Sequence, residues 1–119
     1  MSSHKDLEVW KKSMDLVEDV YKLMKQLPEN EKYGLISQIK RSSISIPSNI
    51  AEGQARRTTR DFLYFLSVAR GSLKELETQV LIAERLKYLN EEQRSKLIEQ
   101  ADQISRLISG LTKSLRAKD

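Results

Sequence analysis

The spacing of apolar residues most constrains this chain, because they recur at alternating steps of three and four along four segments. Such steps put side chains on one face of an α-helix. The apolar positions run from Leu7 to Met24, from Ile36 to Gly53, from Phe62 to Ala83 and from Leu97 to Leu115. Two prolines and four glycines in 119 residues leave little to interrupt them. The pattern therefore predicts an all-α protein of four helices.

Helix-capping residues and short connections support this prediction. Asn90 and Gln93 have the spacing of a capping box before the fourth helix, and Thr58 and Asp61 form a similar pair before the third. Because only a few residues connect consecutive helices, neighbouring helices should run antiparallel. We expect a single domain, residues 1–119, folded as an up-down-up-down antiparallel four-helix bundle.

The stretch RSSISIPSNIAEGQARR, residues 41–57, contains a proline inside the second apolar pattern. The pattern passes through Pro47 without a change of phase. We therefore predict that the second helix continues with a kink at Pro47, which lacks a backbone donor and crowds the carbonyl of Ser43. Catalysis by these serines is disfavoured, because His4 is the only histidine and no neighbouring base activates a hydroxyl.

The composition argues against several classes of function. Without cysteine there is no disulfide, thiolate nucleophile or cysteine metal site, which agrees with a reducing, cytoplasmic location. No stretch approaches the roughly 18 uncharged apolar residues of a membrane span. The helical segments carry no histidine for a bundle metal site, and no glycine-rich phosphate loop occurs. We expect no enzymatic activity, cofactor, metal, small-molecule substrate or membrane association.

Three stretches resemble a known protein family: LEVWKKSMDLVEDVYKL, EKYGLISQIKRSSISIPSNIAEGQAR and FLYFLSVARGSLKELETQ. They look like the four-helix-bundle proteins encoded by intervening sequences of bacterial 23S ribosomal RNA genes. The likeness spans most of residues 6–90, and SIPSNIAEG and GSLKELETQ are its specific motifs. Lys40 and Ser42 stand where family members often carry Arg and Ala. The resemblance implies a homopentameric ring of four-helix protomers with no established biochemical activity.

More distantly, the chain is similar to accessory proteins of diversity-generating retroelements. Those proteins are basic pentamers that engage RNA and a reverse transcriptase. The likeness implies RNA, or a protein that processes nucleic acid, as a partner in addition to other copies of the chain itself.

The first helix carries two apolar stripes, so nearly half of its circumference is hydrophobic, more than a lone bundle helix needs. We assign the first stripe to the core of the protomer: Leu7, Trp10, Met14, Val17, Tyr21 and Met24. We assign the second stripe to a subunit interface: Val9, Leu16, Val20, Leu23 and Leu27.

The second helix carries a polar stripe beside its apolar one, formed by Gln38, Arg41, Ser45, Asn49 and Glu52. Arg41 and Glu52 lie about 16 Å apart along the helix axis, so they cannot pair with each other. Two interpretations stay open at this point: the stripe is a second part of the subunit interface, or it is a solvated face.

Basic residues concentrate in the middle of the chain. Residues 40–74 hold seven basic side chains against two acidic ones, a local charge of +5 where the whole chain has +4. In the predicted bundle, the start of the first helix, the turn between the second and third, and the end of the fourth lie at one end. We call it the basic end, and its cations are Lys5, Lys11, Lys12, Arg56, Arg57, Arg60, Lys113, Arg116 and Lys118.

A ring would repeat the basic end around one rim, where it would attract a phosphate backbone. Few aromatic residues accompany these cations in the sequence, so base stacking and sequence readout are not expected. Two functions stay open: an oligomer that binds RNA or other nucleic acid electrostatically, and a purely structural or protein-binding oligomeric scaffold.

Overall fold

A computed structural model describes residues 3–4 and 7–118 of the chain. Its elements are α1 (Glu8–Met24), a 3₁₀ turn (Glu29–Glu31), α2 (Leu35–Gln54), α3 (Thr59–Arg85) and α4 (Glu91–Ala117). These described residues contain no β-strand. The predicted all-α class with four helices is confirmed.

The helices form a bundle in which each packs against its two neighbours. Helix α1 contacts α2 and α4, and α3 contacts the same two helices from the opposite side. The bundle measures 47 × 23 × 20 Å, and α3 and α4, with 27 residues each, span most of its length at about 1.5 Å per residue. Consecutive helices run antiparallel, as predicted.

The predicted helix starts are also present. Asn90 Oδ1 accepts from the backbone N–H of Gln93 at 2.8 Å, and Gln93 Oε1 accepts from the N–H of Asn90 at 3.0 Å. This reciprocal pair is a complete capping box. Thr58 Oγ1 accepts from the N–H of Asp61 at 3.1 Å, which caps α3 with a single bond.

The structure differs from the sequence assignment of the two α1 stripes, although Met24 of the first stripe lies in the core as predicted. Val9, Leu16, Val20 and Leu27, predicted to face another subunit, lie in the protomer core with exposures of 4, 0, 0 and 6%. Leu23, from the same predicted stripe, is half-buried against that core. Val9, Leu16, Val20 and Leu27 already pack inside the protomer, so the prediction that these four form a subunit interface is wrong. For Leu23 it stays a prediction.

The reason for the error is Ser13. This serine is fully buried between Val9 and Leu16 and donates its hydroxyl to the carbonyl of Trp10 at 2.8 Å. A serine bonded to its own helix is nearly apolar toward its neighbours, so it continues a core stripe that reads as interrupted in the sequence. Met14 and Tyr21, assigned to the core from the sequence, are instead 41% and 37% exposed.

Helix α2 runs through Pro47 without ending, which confirms the predicted continuity. Ahead of the proline, Ser42 donates to Gln79 Oε1 of α3 at 2.7 Å, and the hydroxyls of Ser45 and Ser72 lie 2.8 Å apart. These short side chains let α2 and α3 approach closely. The helices also approach closely at Gly53, since an added Cβ would lie 2.8 Å from Phe65 Cβ.

Candidate nucleic-acid interface

The contacts between helices set the register that brings the basic end together. Arg94 of α4 pairs with Glu84 of α3, and Arg70 of α3 contacts the hydroxyl of Ser109 in α4. Because the two helices are antiparallel, extending this register puts Arg60 level with the last residues of α4. The α2–α3 turn and the end of α4 therefore lie at the same end of the bundle.

The start of α1 lies on the same side. Trp10 and Ala51 line one groove between α1 and α2, so the first turns of α1 are level with the last turns of α2. Lys11 and Lys12 consequently lie just below the α2–α3 turn. Lys5, the remaining predicted cation of this end, lies outside the described residues.

The described cations of the basic end are almost all free to meet a ligand. Lys12 is half-buried, and the following are exposed: Lys11, Arg56, Arg57, Arg60, Lys113, Arg116 and Lys118. Only Arg56 forms an ion pair with another described residue, to Glu52 Oε2 at 2.8 Å. The other cations keep their charge without a carboxylate partner in that part of the chain.

Few carboxylates offset this charge. Among the described residues, Glu8, Glu52 and Asp61 lie at the basic end. Glu8 and Asp61 occupy the first turns of α1 and α3, where a carboxylate interacts favourably with the helix dipole. Glu52 is occupied by Arg56. Among the described residues of the basic end, eight cations therefore stand against three carboxylates.

An aromatic group lies beside these cations. The guanidinium of Arg56 is 4.7 Å from the ring centre of Phe65, within cation–π range. The ring of Phe65 meets that of Tyr64 edge to face at 5.2 Å and 80°. Tyr64 is 62% exposed, and Arg60 precedes it by four residues on the same face of α3. The apolar run FLYFL hid Tyr64 in the sequence, although its spacing from Arg60 could have revealed it.

A second basic surface lies near the opposite end of the bundle. A groove of about 500 Å³ between α1, the 3₁₀ turn and α2 is lined by Lys22, Lys25, Lys32 and Lys40, with Glu29 as its carboxylate. These lysines come from three separate elements, so no local run of charge predicts the groove.

The polar stripe of α2 finds most of its partners inside the protomer. Asn49 donates to the carbonyl and hydroxyl oxygens of Ser45 at 2.8 and 2.9 Å, and Ser45 meets Ser72 of α3. Glu52 pairs with Arg56 one turn later. Gln38 and Arg41, the other members, are exposed. The contacts of Ser45, Asn49 and Glu52 thus require no second subunit.

A groove with a mainly apolar lining lies between α1 and α2. It encloses about 330 Å³ and is lined by Trp10, Met14, Val17, Ile44, Pro47, Ser48 and Ala51. Met14 and Ile44, 41% and 42% exposed, form its rims. Both rims are therefore apolar side chains that solvent reaches.

The described part of the chain offers little for other chemistry. No group of three or more histidines, aspartates or glutamates there is arranged to hold a metal ion. No helix in residues 3–4 and 7–118 is long and apolar enough to cross a membrane.

Comparison with known proteins places this fold in a family. No curated protein matches the chain. A crystal structure of a protein of unknown function from the S23 ribosomal protein family of Bacteroides thetaiotaomicron is similar, with a TM-score of 0.82 and 27% identity. The alignment covers 88% of this chain and 98% of that one. The profile of the 23S rRNA-intervening sequence proteins matches residues 5–110, and this protein therefore belongs to the 23S rRNA-intervening sequence protein family.

Proposed function

We propose that this protein is a non-enzymatic homo-oligomer, a pentameric ring as the family resemblance implies, that binds RNA through its basic end. The observation that carries the proposal is the set of mostly exposed cations from the start of α1, the α2–α3 turn and the end of α4. Apart from Arg56, none of those described forms an ion pair with another described residue. The more distant likeness to accessory proteins that engage RNA favours RNA among the nucleic acids.

The physical basis is the release of counterions. Cations that neutralise phosphates free the ions condensed on the nucleic acid, so the affinity falls as salt rises. A cation already paired with a carboxylate contributes less, because it must first lose that partner. Arg57 and Arg60 have no such pair with a described residue, whereas Arg56 pairs with Glu52. A ring that repeats this end would present many phosphate contacts on one rim.

The test compares two triple variants with equal loss of charge. Arg56→Gln, Arg57→Gln, Arg60→Gln removes three charges from the basic end. The control, Arg85→Gln, Lys87→Gln, Arg106→Gln, removes three exposed charges elsewhere. Binding of a labelled RNA is measured by fluorescence anisotropy over a series of salt concentrations.

We expect the first variant to flatten the plot of log affinity against log salt by about 2 for each protomer that the RNA contacts, at roughly 0.7 per lost contact on a single strand. The control should keep a slope near that of the wild type, and both should keep the wild-type mass in solution. No binding by the wild type at low salt would refute the proposal. Equal losses in the two variants would show that net charge, and not the basic end, drives the binding.

The alternative function, an oligomeric scaffold, is favoured by the apolar groove of α1 and α2, and we propose a second copy of the chain as its occupant. A closed ring joins two different faces of each subunit. The groove lies on the α1 side of the bundle, and exposed apolar residues of α3, among them Leu81 and Ile82, provide a separate face. Self-association through the groove is compatible with nucleic-acid binding at the basic end.

Single substitutions test this arrangement without disturbing the core. Met14→Glu and Ile44→Glu each place a charge at a rim of the groove, and Tyr33→Glu does so at a residue that is 89% exposed. We expect the groove variants to lower the mass measured by light scattering at micromolar concentration, while Tyr33→Glu leaves it unchanged. A monomeric wild type, or groove variants of unchanged mass, would contradict the proposal.

A further inference from the structure

We infer that Tyr64 is a stacking platform for an unpaired base, so that the basic end prefers single-stranded to double-stranded nucleic acid. The inference rests on the nucleic-acid binding proposed above and adds the class of ligand. Tyr64 projects at 62% exposure from the first turns of α3, next to the arginines of the α2–α3 turn.

The ring of Tyr64 is held in place by a contact with the ring of Phe65. It meets Phe65 edge to face at 5.2 Å, and Phe65 is half-buried and covered by the guanidinium of Arg56 at 4.7 Å. Edge-to-face pairs of this geometry are attractive in themselves, and a partly buried partner limits the movement of the exposed ring. A base that stacks on a held ring loses less conformational freedom than one that must first order a mobile side chain.

One arginine lies a helical turn from the ring, and another lies in the preceding turn of the chain. Arg60 lies four residues before Tyr64 on the same helix, which puts their Cβ atoms about 5–6 Å apart. Arg57 lies in the turn just before α3. A nucleotide stacked on Tyr64 therefore carries its phosphate to an arginine that has no carboxylate partner among the described residues.

This arrangement discriminates between single and double strands. In a duplex, both faces of each internal base are covered by neighbouring bases, so no face is free for the ring. In a single strand or loop the base can turn outward and stack on an aromatic side chain. Stacking is tolerant of sequence because every base has a flat face, so the inference predicts a preference for strandedness and not for sequence.

Tyr64 also has no evident task within the fold. Its hydroxyl makes no hydrogen bond to the described residues, and its backbone carbonyl, not its ring, accepts from Ser67. Replacing the ring should therefore leave α3 in place. This makes Tyr64 a suitable position for a binding test.

The experiment measures binding of four probes at fixed low salt: a single-stranded RNA, a blunt-ended RNA duplex of equal phosphate number, the single strand with abasic sites, and a blunt-ended DNA duplex. The variants are Tyr64→Leu, Tyr64→Phe as the conservative control, and Tyr33→Leu, which removes an exposed tyrosine far from the basic end. Each variant is first checked for its mass in solution and its thermal midpoint.

We expect Tyr64→Leu to weaken binding of the single strand roughly 5- to 150-fold, the range that loss of one base–aromatic stack gives. Its binding to the duplexes and to the abasic strand should stay within about twofold of the wild type, because those ligands offer only phosphates or stacked bases. Tyr64→Phe and Tyr33→Leu should bind the single strand as the wild type does.

The outcomes separate this inference from the proposed function. If the wild type binds all four probes and Tyr64→Leu binds them equally well, stacking is refuted and electrostatic binding stands. If the wild type binds none, both fall together. A changed mass for Tyr64→Leu would show that the residue contacts another protein chain, which also overturns the inference.

Discussion

The close approach of α2 and α3 at Gly53 predicts that Gly53→Ala destabilises the protein, although alanine is the better helix former. The added Cβ would lie 2.8 Å from Phe65 Cβ, 2.9 Å from Phe62 Cδ1 and 3.3 Å from the Phe62 carbonyl oxygen. Ordinary contacts between carbon atoms are about 3.5–4.0 Å. Phe65 Cβ is fixed to its backbone, so rotation of that side chain cannot relieve the clash. The helices must separate by roughly 1 Å at this position.

The size of the effect follows from two opposing terms. Forcing extra volume into a packed contact costs typically about 1–3 kcal/mol, and the upper part of that range applies where backbone must move. Alanine is more favourable than glycine in a helix by at most about 1 kcal/mol, and by less near the end of α2, so this gain offsets only part of the cost. We expect a net loss of about 2 kcal/mol, which for a chain of this length lowers the thermal midpoint by about 8 °C.

The assay is thermal unfolding followed by circular dichroism, at one protein concentration because assembly shifts the midpoint. Gly71→Ala and Gly110→Ala are matched controls, since an added Cβ meets nothing within 4 Å at either position in α3 and α4. They should raise the midpoint, by up to about 4 °C, through helix propensity alone. A Gly53→Ala protein as stable as the wild type, or one shifted like the controls, would refute the reasoning.

Two further predictions concern the turn between α3 and α4. Lys87 has a φ of 68°, a conformation that favours glycine, so Lys87→Gly should stabilise the protein by about 0.5–1 kcal/mol and raise the thermal midpoint by a few degrees; a lower midpoint would contradict this. The hydroxyl of Tyr88 donates to Glu31 Oε2 at 2.9 Å, and this hydrogen bond raises the pKa of Tyr88 above its ordinary 10.0. Since the folded pKa exceeds the unfolded one, the contribution is complete below about pH 10 and is lost as the pH rises through the raised value. Tyr88→Phe should therefore melt below the wild type at pH 8, and the gap should close in strong alkali; a gap independent of pH would count against the bond.

The fold was predictable because the spacing of apolar residues and the capping of helix ends both depend on residues close together in the sequence. The four helices, the capping box at Asn90 and the passage of α2 through Pro47 each follow from residues close together in the chain. The position of the basic end followed in turn, since an up-down topology fixes which helix ends meet. Such inferences require the order of the helices and the spacing of their apolar residues, and they do not require knowledge of side-chain packing.

The features that the sequence did not predict depend on how the helices pack against one another. The spacing of apolar residues does not determine that packing. Both stripes of α1 are apolar, and the buried one includes Ser13, whose hydroxyl bonds to its own helix and whose polarity made that stripe read as interrupted. The contact between Arg56 and Phe65, across the α2–α3 turn, likewise exists only once the two helices are packed together. The lysine groove draws on three elements and exists only once they are folded together.

The contact at Gly53 also connects the packing of the bundle to the proposed ligand site. Because Gly53 has no side chain, Phe65 packs closely against α2. The ring of Phe65 in turn contacts the guanidinium of Arg56 and the ring of Tyr64. Coulomb attraction between an arginine and a phosphate changes slowly with distance, so a helix displacement of roughly 1 Å would leave charge-driven binding almost intact. Stacking requires contact and a fixed ring, and it would weaken. A glycine deep in the α2–α3 contact would then matter to the recognition of single strands while mattering little to the attraction of the phosphate backbone.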